Sequence, residues 1–387
     1  MSFYFDHNAT TPLSVAARQA WLEAVEKFWQ NPSSLYPEAG AVARRLEDER
    51  ESLAQLLGVN DVEDPGIVFT SGATESNNAT IAHFAHANPD KYCALSAIEH
   101  PSVDAPASLH FGERLIKVAV STDGTISLAN LEQILAKGNV CLVCIMAANN
   151  ETGVIQPCSE VSSLCRKYNV LFHCDAVQWF GKYDPTAIVA LADIVVGSAH
   201  KFGAPKGTGF LRTSERARHL QLQSGGPQEQ RRRAGTENLP GIAAMVRALE
   251  QATSNLSLWE QQRETRDCFE ATIVADLPGT SIIAANSQRL PNTSMLIMPS
   301  GRNLKWLTRL GQRGFSVSTG SACSSGSEDG SHVLTSMGLR PSEINRALRI
   351  SSGLDTGRDQ WDALAKALNE VAEDINSGGS PAGKWIP

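Results

Sequence analysis

Between residues 67 and 213 the chain alternates short β-branched apolar runs with longer segments whose apolar residues recur at helical spacing. GIVFTSGATESNNATIAHFAHA reads as a strand ending near Thr70, a glycine turn, and a helix from about Glu75. YCALSA, NVCLVCIMA, NVLFHCDAV, ADIVVGSA and GTGFLRT read as further short strands, while NLEQILAKG and SEVSSLCRKY carry helical periodicity. Runs that apolar must be buried on both faces, and helical crossovers supply the cover. The expected fold is therefore α/β with a mainly parallel central sheet. The rhythm fades after about residue 255. There SLWEQQRETRDCFEATIVADLP reads as a helix leaving the first domain, followed by TSIIAA, NTSMLIM, LKWLTRLGQRG and a closing amphipathic helix. The expected organisation is an N-terminal segment (1–15) packing with the small domain, a large domain (16–257), and a smaller C-terminal α/β domain (258–387).

Charge and cysteine content exclude several classes. With 34 basic against 41 acidic residues the net charge is −7, so there is no basic field to attract nucleic acid. No run reaches the roughly 18 apolar residues of a membrane span, and MSFYFDHNATTPL has no signal-peptide pattern. A cytoplasmic enzyme is expected. Eight cysteines in 387 residues are too dilute for a disulfide scaffold. Cys141 and Cys144 form a CxxC, but inside a strand pattern, where residues three apart should face opposite sides. They, with Cys93, Cys158, Cys165, Cys174 and Cys268, read as small hydrophobes or chance occurrences. Cys323 differs: STGSACSSGSEDG is a small-residue loop, where an exposed thiol is either a nucleophile or an incidental loop cysteine.

Polar residues gather at the expected strand ends, where open α/β sheets bind ligands. Ser198, His200 and Lys201 follow one strand, Asp175 and Gln178 another, and Asn149 a third. Thr70-Ser71-Gly72-Ala73-Thr74 runs into a helix N-terminus, whose free N–H groups suit a phosphate. Each alone reads equally well as loop surface. Together they offer a lysine amine, an acid for a pyridine nitrogen and a phosphate cup, which is what pyridoxal phosphate requires. A nucleotide site fits less well, since TSGATES lacks the P-loop lysine and no GxGxxG follows a strand.

These residues carry a family resemblance. YFDHNATTP, NPSSLY, TSGATESNN, EHPSV, ANNETGVIQP, HCDAVQ, SAHKFGAPKGTG, RRAGTEN, STGSACSSGS and ALRISSG stand in the order found in the cysteine desulfurases. Those are class V aminotransferase, fold-type I pyridoxal phosphate enzymes that take sulfur from L-cysteine, and the chain resembles them from YFDHNATTP to ISSG at residue 353. The resemblance implies that Lys201 holds the cofactor covalently and that His100 stacks on its ring and helps move protons. It implies that Asp175 keeps the pyridine nitrogen protonated, Gln178 bonds the ring 3′-oxygen, and Asn149 lies near that oxygen and the substrate. Ala73, Thr74, Ser198 and His200 match the phosphate set. Thr236 matches a threonine supplied to the phosphate by the second subunit of a homodimer. Arg349 matches the arginine for the substrate carboxylate, and Cys323 the cysteine that receives the sulfur as a persulfide.

The implied reaction turns L-cysteine into L-alanine and passes the sulfur to an acceptor protein, such as an iron–sulfur scaffold. CSSGSEDGSHV resembles the longer form of the family's catalytic loop. KFGAPKG departs from a common aromatic–glycine–proline order, and INSGGSPAGKWIP lacks the longer tail some relatives use to dock a scaffold. A selenocysteine lyase or cysteine C–S lyase on the same fold, and a non-catalytic scaffold dimer, remain alternatives on the sequence alone.

Overall fold

In the computed structural model the described residues are 2–61, 64–320 and 330–377. Their largest unit is a seven-stranded sheet in the order Ile67–Thr70, Gly209–Thr213, Ile194–Ser198, Leu171–Asp175, Val140–Cys144, Tyr92–Ser96, Leu115–Val118. Six strands run parallel. Gly209–Thr213 alone is reversed, pairing antiparallel with both neighbours. The sequence rhythm did not announce that reversal, because a buried strand reads the same in either direction. Helices cover both faces, as the apolar strand runs demand. On one side Val143, Phe172, Val195 and Phe210 pack with Leu46, Leu131, Val161 and Met245. On the other, Leu95, Leu142, Val196 and Leu211 meet Ile81, Phe84 and Val103.

The helix expected from Glu75 starts at Ala73 and runs to Ala87. Cys141 and Cys144 do not face opposite sides; both join the same apolar cluster, with Cys93. The pairing of Tyr92–Ser96 with Val140–Cys144 slips one residue at Tyr92/Cys93, and such a bulge interrupts strict alternation. Burial pushes the Cys141 thiol up to about 12, so it is an inert core group. Cys268 stands exposed on the helix Leu258–Asp276, not in a core.

A second core lies around an antiparallel three-stranded sheet, Ala347–Ser351, Thr293–Ile297 and Ser281–Ile282. Trp306, Trp361, Phe269 and Leu348 fill it. The N-terminal segment ties into this core. Phe3–Tyr4 pairs parallel with Phe315–Ser316, Asp6 bridges to Ser351, and Phe5 is buried among the same aromatics. Residues 8–11 then cross to the large sheet, where Thr11 bonds the His200 carbonyl. No helix among the described residues is long and apolar enough to cross a membrane.

Candidate active site

At the carboxyl edge of the large sheet, residues at the ends of five strands wall a cavity of about 440 Å³. Asp175 closes the strand Leu171–Asp175. Its Oδ1 accepts from the Val177 N–H at 3.0 Å and its Oδ2 from Asn77 Nδ2 at 2.8 Å. Asn77 Oδ1 in turn meets His173 Nε2 at 2.9 Å. Burial pushes His173 down to about 4, against the pull of Asp175, so its ring is neutral. A neutral His173 facing a carbonyl oxygen must carry its proton on Nε2, which fixes the Asn77 amide and aims one N–H at Asp175 and the other at Ser102 Oγ, 3.0 Å away. The carboxylate is thus held from behind by a chain that the solvent does not reach.

His100 caps the helix Pro101–Phe111. Its Nδ1 accepts the Ser102 N–H at 3.1 Å and lies 2.9 Å from Ser102 Oγ, which leaves the ring proton on Nε2. Burial lowers its pKa; Asp175 opposes this, while Lys201 and His332 add to it. Lys201 ends the short turn Ala199–Lys201, and its Nζ donates to the carbonyls of Asn8 (2.7 Å) and Ala9 (2.8 Å). Beside it, His200 is held to about 4 by burial, with Lys201 and Lys206 adding, and its Nδ1 lies 3.2 Å from Thr10 Oγ1.

Ala73 and Thr74 open the 15-residue helix Ala73–Ala87, so their N–H groups face the cavity at the positive end of the helix dipole. Gly72 precedes them at φ +148°, a conformation that strains any residue with a Cβ. Gly209 must also be glycine, because a Cβ there would stand 2.7 Å from the Gly72 Cα. This end of the cavity is therefore built by a close approach of two backbones, with Ser198 at the same wall.

Arg349 reaches the cavity from the second sheet, in the strand Ala347–Ser351. Its side chain is 2% exposed. Nη2 donates to Asp6 Oδ1 at 2.6 Å, and Nη1 to the carbonyls of Asn150 (3.0 Å) and Gly320 (3.3 Å), while Nε is buried without a partner. One guanidinium thus joins the N-terminal segment, the turn after Asn149, and the end of the described segment at Gly320.

Of the sequence candidates, Ala73, Thr74, His100, Asp175, Gln178, Ser198, His200, Lys201 and Arg349 all line this one cavity. Asn149 does not. It is fully buried, its Oδ1 accepting the N–H groups of Glu151 (2.9 Å) and Thr152 (3.0 Å), so it shapes the turn that presents Asn150 and Glu151. Thr236 lies elsewhere, exposed, beside a surface hollow bordered by Trp29 and Pro32. The loop before it turns through three successive left-handed residues, Glu229, Gln230 and Arg231. Strain of that kind persists only when tied down. Here Glu229 is clamped by Arg50 Nη1 and Nη2 (2.9 and 3.0 Å) and by the Phe69 N–H (2.9 Å). Cys323 lies outside the described residues.

Sequence reasoning missed Asp6, Asn77, Glu151, Lys206 and His332. Asn77 was within reach, since it stands one helical turn after Ala73 and so on the same face. Asp6 carried no such signal, because its partner is 343 residues away. Glu151 receives the Ser331 hydroxyl at 2.5 Å; burial raises its pKa, against that bond and Arg349.

Comparison with known proteins agrees over nearly the whole chain. The class-V aminotransferase family model matches residues 3–364. A cysteine desulfurase from Nostoc sp. is 35% identical over 378 residues, covering 97% of this chain and 94% of that one. One from Enterobacter agglomerans is 36% identical, covering 90% and 87%. Among solved structures, a NifS-like protein from Rickettsia africae superposes with a TM-score of 0.86 at 30% identity, over 96% of this chain and all of that one. SspA in complex with cysteine gives 0.78 at 29% identity, over 90% and 98%. With a class-V match spanning both cores and relatives of this likeness along its length, the chain belongs to the cysteine desulfurase family of class-V aminotransferases.

Proposed function

We propose that this protein is a pyridoxal phosphate-dependent cysteine desulfurase that converts L-cysteine to L-alanine and keeps the sulfur on Cys323 as a persulfide. The observation that carries this reading is the convergence of Lys201, Asp175, His100 and Arg349 on one cavity. The donor set suits the cofactor. A fixed carboxylate answers a pyridinium, a helix N-terminus with Ser198 and neutral His200 answers a phosphate, and an amine answers an aldehyde. Thr236 of a second subunit would complete the phosphate set. When bound, pyridoxal phosphate supplies the electron sink that makes the substrate Cα–H acidic.

The chain's own residues supply the rest. Arg349 binds the substrate carboxylate, Lys201 removes and returns protons at carbon, and His100, with a proton on Nε2, exchanges protons nearby. Asp175 holds the proton on the ring nitrogen, Gln178 donates to the 3′-oxygen, and Asn149 keeps the adjoining turn in place. The Cys323 thiolate attacks the substrate sulfur: an S–S bond forms, the C–S bond breaks, and its electron pair takes up a proton at Cβ to give alanine. Gly320 and His332, which lie on either side of residues 321–329, both line the cavity. The sulfur then passes to an acceptor protein such as an iron–sulfur scaffold, and a thiol-reducing compartment such as the cytoplasm suits that cycle.

Incubation with L-cysteine and a thiol reductant should yield alanine and sulfide in equal amounts. Cys323→Ala should lose nearly all of both, because a covalent step is removed, yet retain the cofactor's visible absorption. A Cys323→Ala protein that works at the parent rate would overturn the persulfide route.

A homodimer is supported by the exposed apolar residues clustered between 13 and 36. Val15 is 70% exposed, Trp29 74% and Leu35 fully exposed, and Thr236 borders the same hollow as Trp29. Sedimentation should report twice the chain mass, and Trp29→Asp should shift the protein toward monomer and weaken cofactor retention. A wild-type monomer that holds cofactor tightly would remove Thr236 from the site.

A further inference from the structure

Behind the candidate site a second cavity of about 330 Å³ adjoins Lys201 from the other side, and the Lys182 side chain is buried in its wall. Lys182 stands four residues after Gln178, in the turn that follows the strand Leu171–Asp175. Its Nζ donates to Gln178 Oε1 at 3.3 Å and to the Gln178 carbonyl at 3.4 Å. Among the described residues no carboxylate comes within ion-pair distance of it. The titratable groups sharing this wall are His7 and Asp355, with Lys201 between the two cavities.

The consequence falls on Gln178. Its Nε2 donates to the Asn8 carbonyl at 3.0 Å, the same oxygen that receives Lys201 Nζ. A glutamine amide is otherwise free to flip. Here a flip would set its oxygen against the Asn8 carbonyl, which only accepts, and its NH₂ against the Lys182 amine, which only donates while it is charged; the first contact turns repulsive in either state and the second in the charged one. The amide is therefore locked, with one Nε2 hydrogen spent on Asn8 and the other left for the candidate site, whose wall Gln178 forms.

We propose that Lys182 is a positioning residue, fixing the Gln178 amide so that its remaining N–H is presented to the cofactor's 3′-oxygen and stabilises negative charge there. This rests on the pyridoxal phosphate reading above. Burial pushes Lys182 down to about 7, with Lys201 adding to the effect, so the amine donates to Gln178 even where it is uncharged. A residue kept for stability alone is a poor choice here: an unpaired buried amine costs free energy that a methionine of similar shape would not.

The test is a pH titration of the cofactor's visible absorption band in the holoenzyme. Losing a donor to the 3′-oxygen raises the proton affinity of the cofactor–Lys201 linkage. Lys182→Met should therefore move the spectroscopic midpoint up by about one pH unit, the worth of one ordinary hydrogen bond. Thermal stability should hold or rise. In a Gln178→Ala background the same substitution should move the midpoint by much less, because the amide it acts through is gone. Lys182→Arg, which keeps a donor, should stay near the parent value. An unchanged midpoint in Lys182→Met, an equal shift with and without Gln178, or an arginine variant displaced as far as the methionine one would each overturn the proposal. A parent protein that takes up no pyridoxal phosphate would instead fail the functional reading itself.

Discussion

Lys201→Ala is expected to lower alanine formation by at least ~10⁴-fold, since one side chain serves as both covalent anchor and proton carrier. The structure sharpens the expectation. Lys201 Nζ is placed by two carbonyls of the N-terminal segment, Asn8 and Ala9, so its direction is set by chain that arrives from the other core. A second amine is also present, because the exposed Lys206 lines the same cavity. Borohydride reduction followed by peptide mass mapping separates the two. The parent should carry the pyridoxyl group on the Lys201 peptide, and the Lys201→Ala protein should carry none. A stable adduct on Lys206 with residual turnover would reassign the anchor.

Arg349→Lys is expected to raise KM for L-cysteine by roughly 10²–10³-fold while kcat changes far less, from the loss of about 3–4 kcal/mol in a buried charge-assisted contact. Lysine keeps the charge but not the fork. Arg349 spends Nη2 on Asp6 and Nη1 on two carbonyls, and a single ammonium cannot hold that frame and still meet a carboxylate. Steady-state kinetics with L-cysteine check the split. A drop in kcat with KM unchanged would place Arg349 outside substrate binding. The same variant should loosen the N-terminal segment, because Asp6 loses its buried partner.

Both expectations turn on residues that the sequence marks and contacts it does not. The strand ends at Thr70, Asp175 and Ser198 were legible because apolar runs must be buried, and buried parallel strands deliver their C-terminal residues to one edge. Lys201, Asp175 and Ser198 could be placed together from that rule alone. Strict alternation breaks at Cys141 and Cys144, where a one-residue slip in pairing puts both thiols into one cluster. Asn149 belonged to the right turn, yet its side chain is consumed by backbone N–H groups, a competition that short amides often win and that spacing does not reveal.

The sequence by itself determined the α/β plan, the edge at which ligands gather and the family, because periodicity and local motifs are short-range properties of a chain. The tertiary structure alone decided what holds those residues in working order. His173 acts on Asp175 through Asn77, Lys182 on Gln178, Asn8 on Lys201, and Asp6 on Arg349. Apart from Lys182, four residues from Gln178, and His173, two residues from Asp175, each support comes from a distant part of the chain. It becomes visible only when folding brings a buried donor within 3.5 Å of its acceptors.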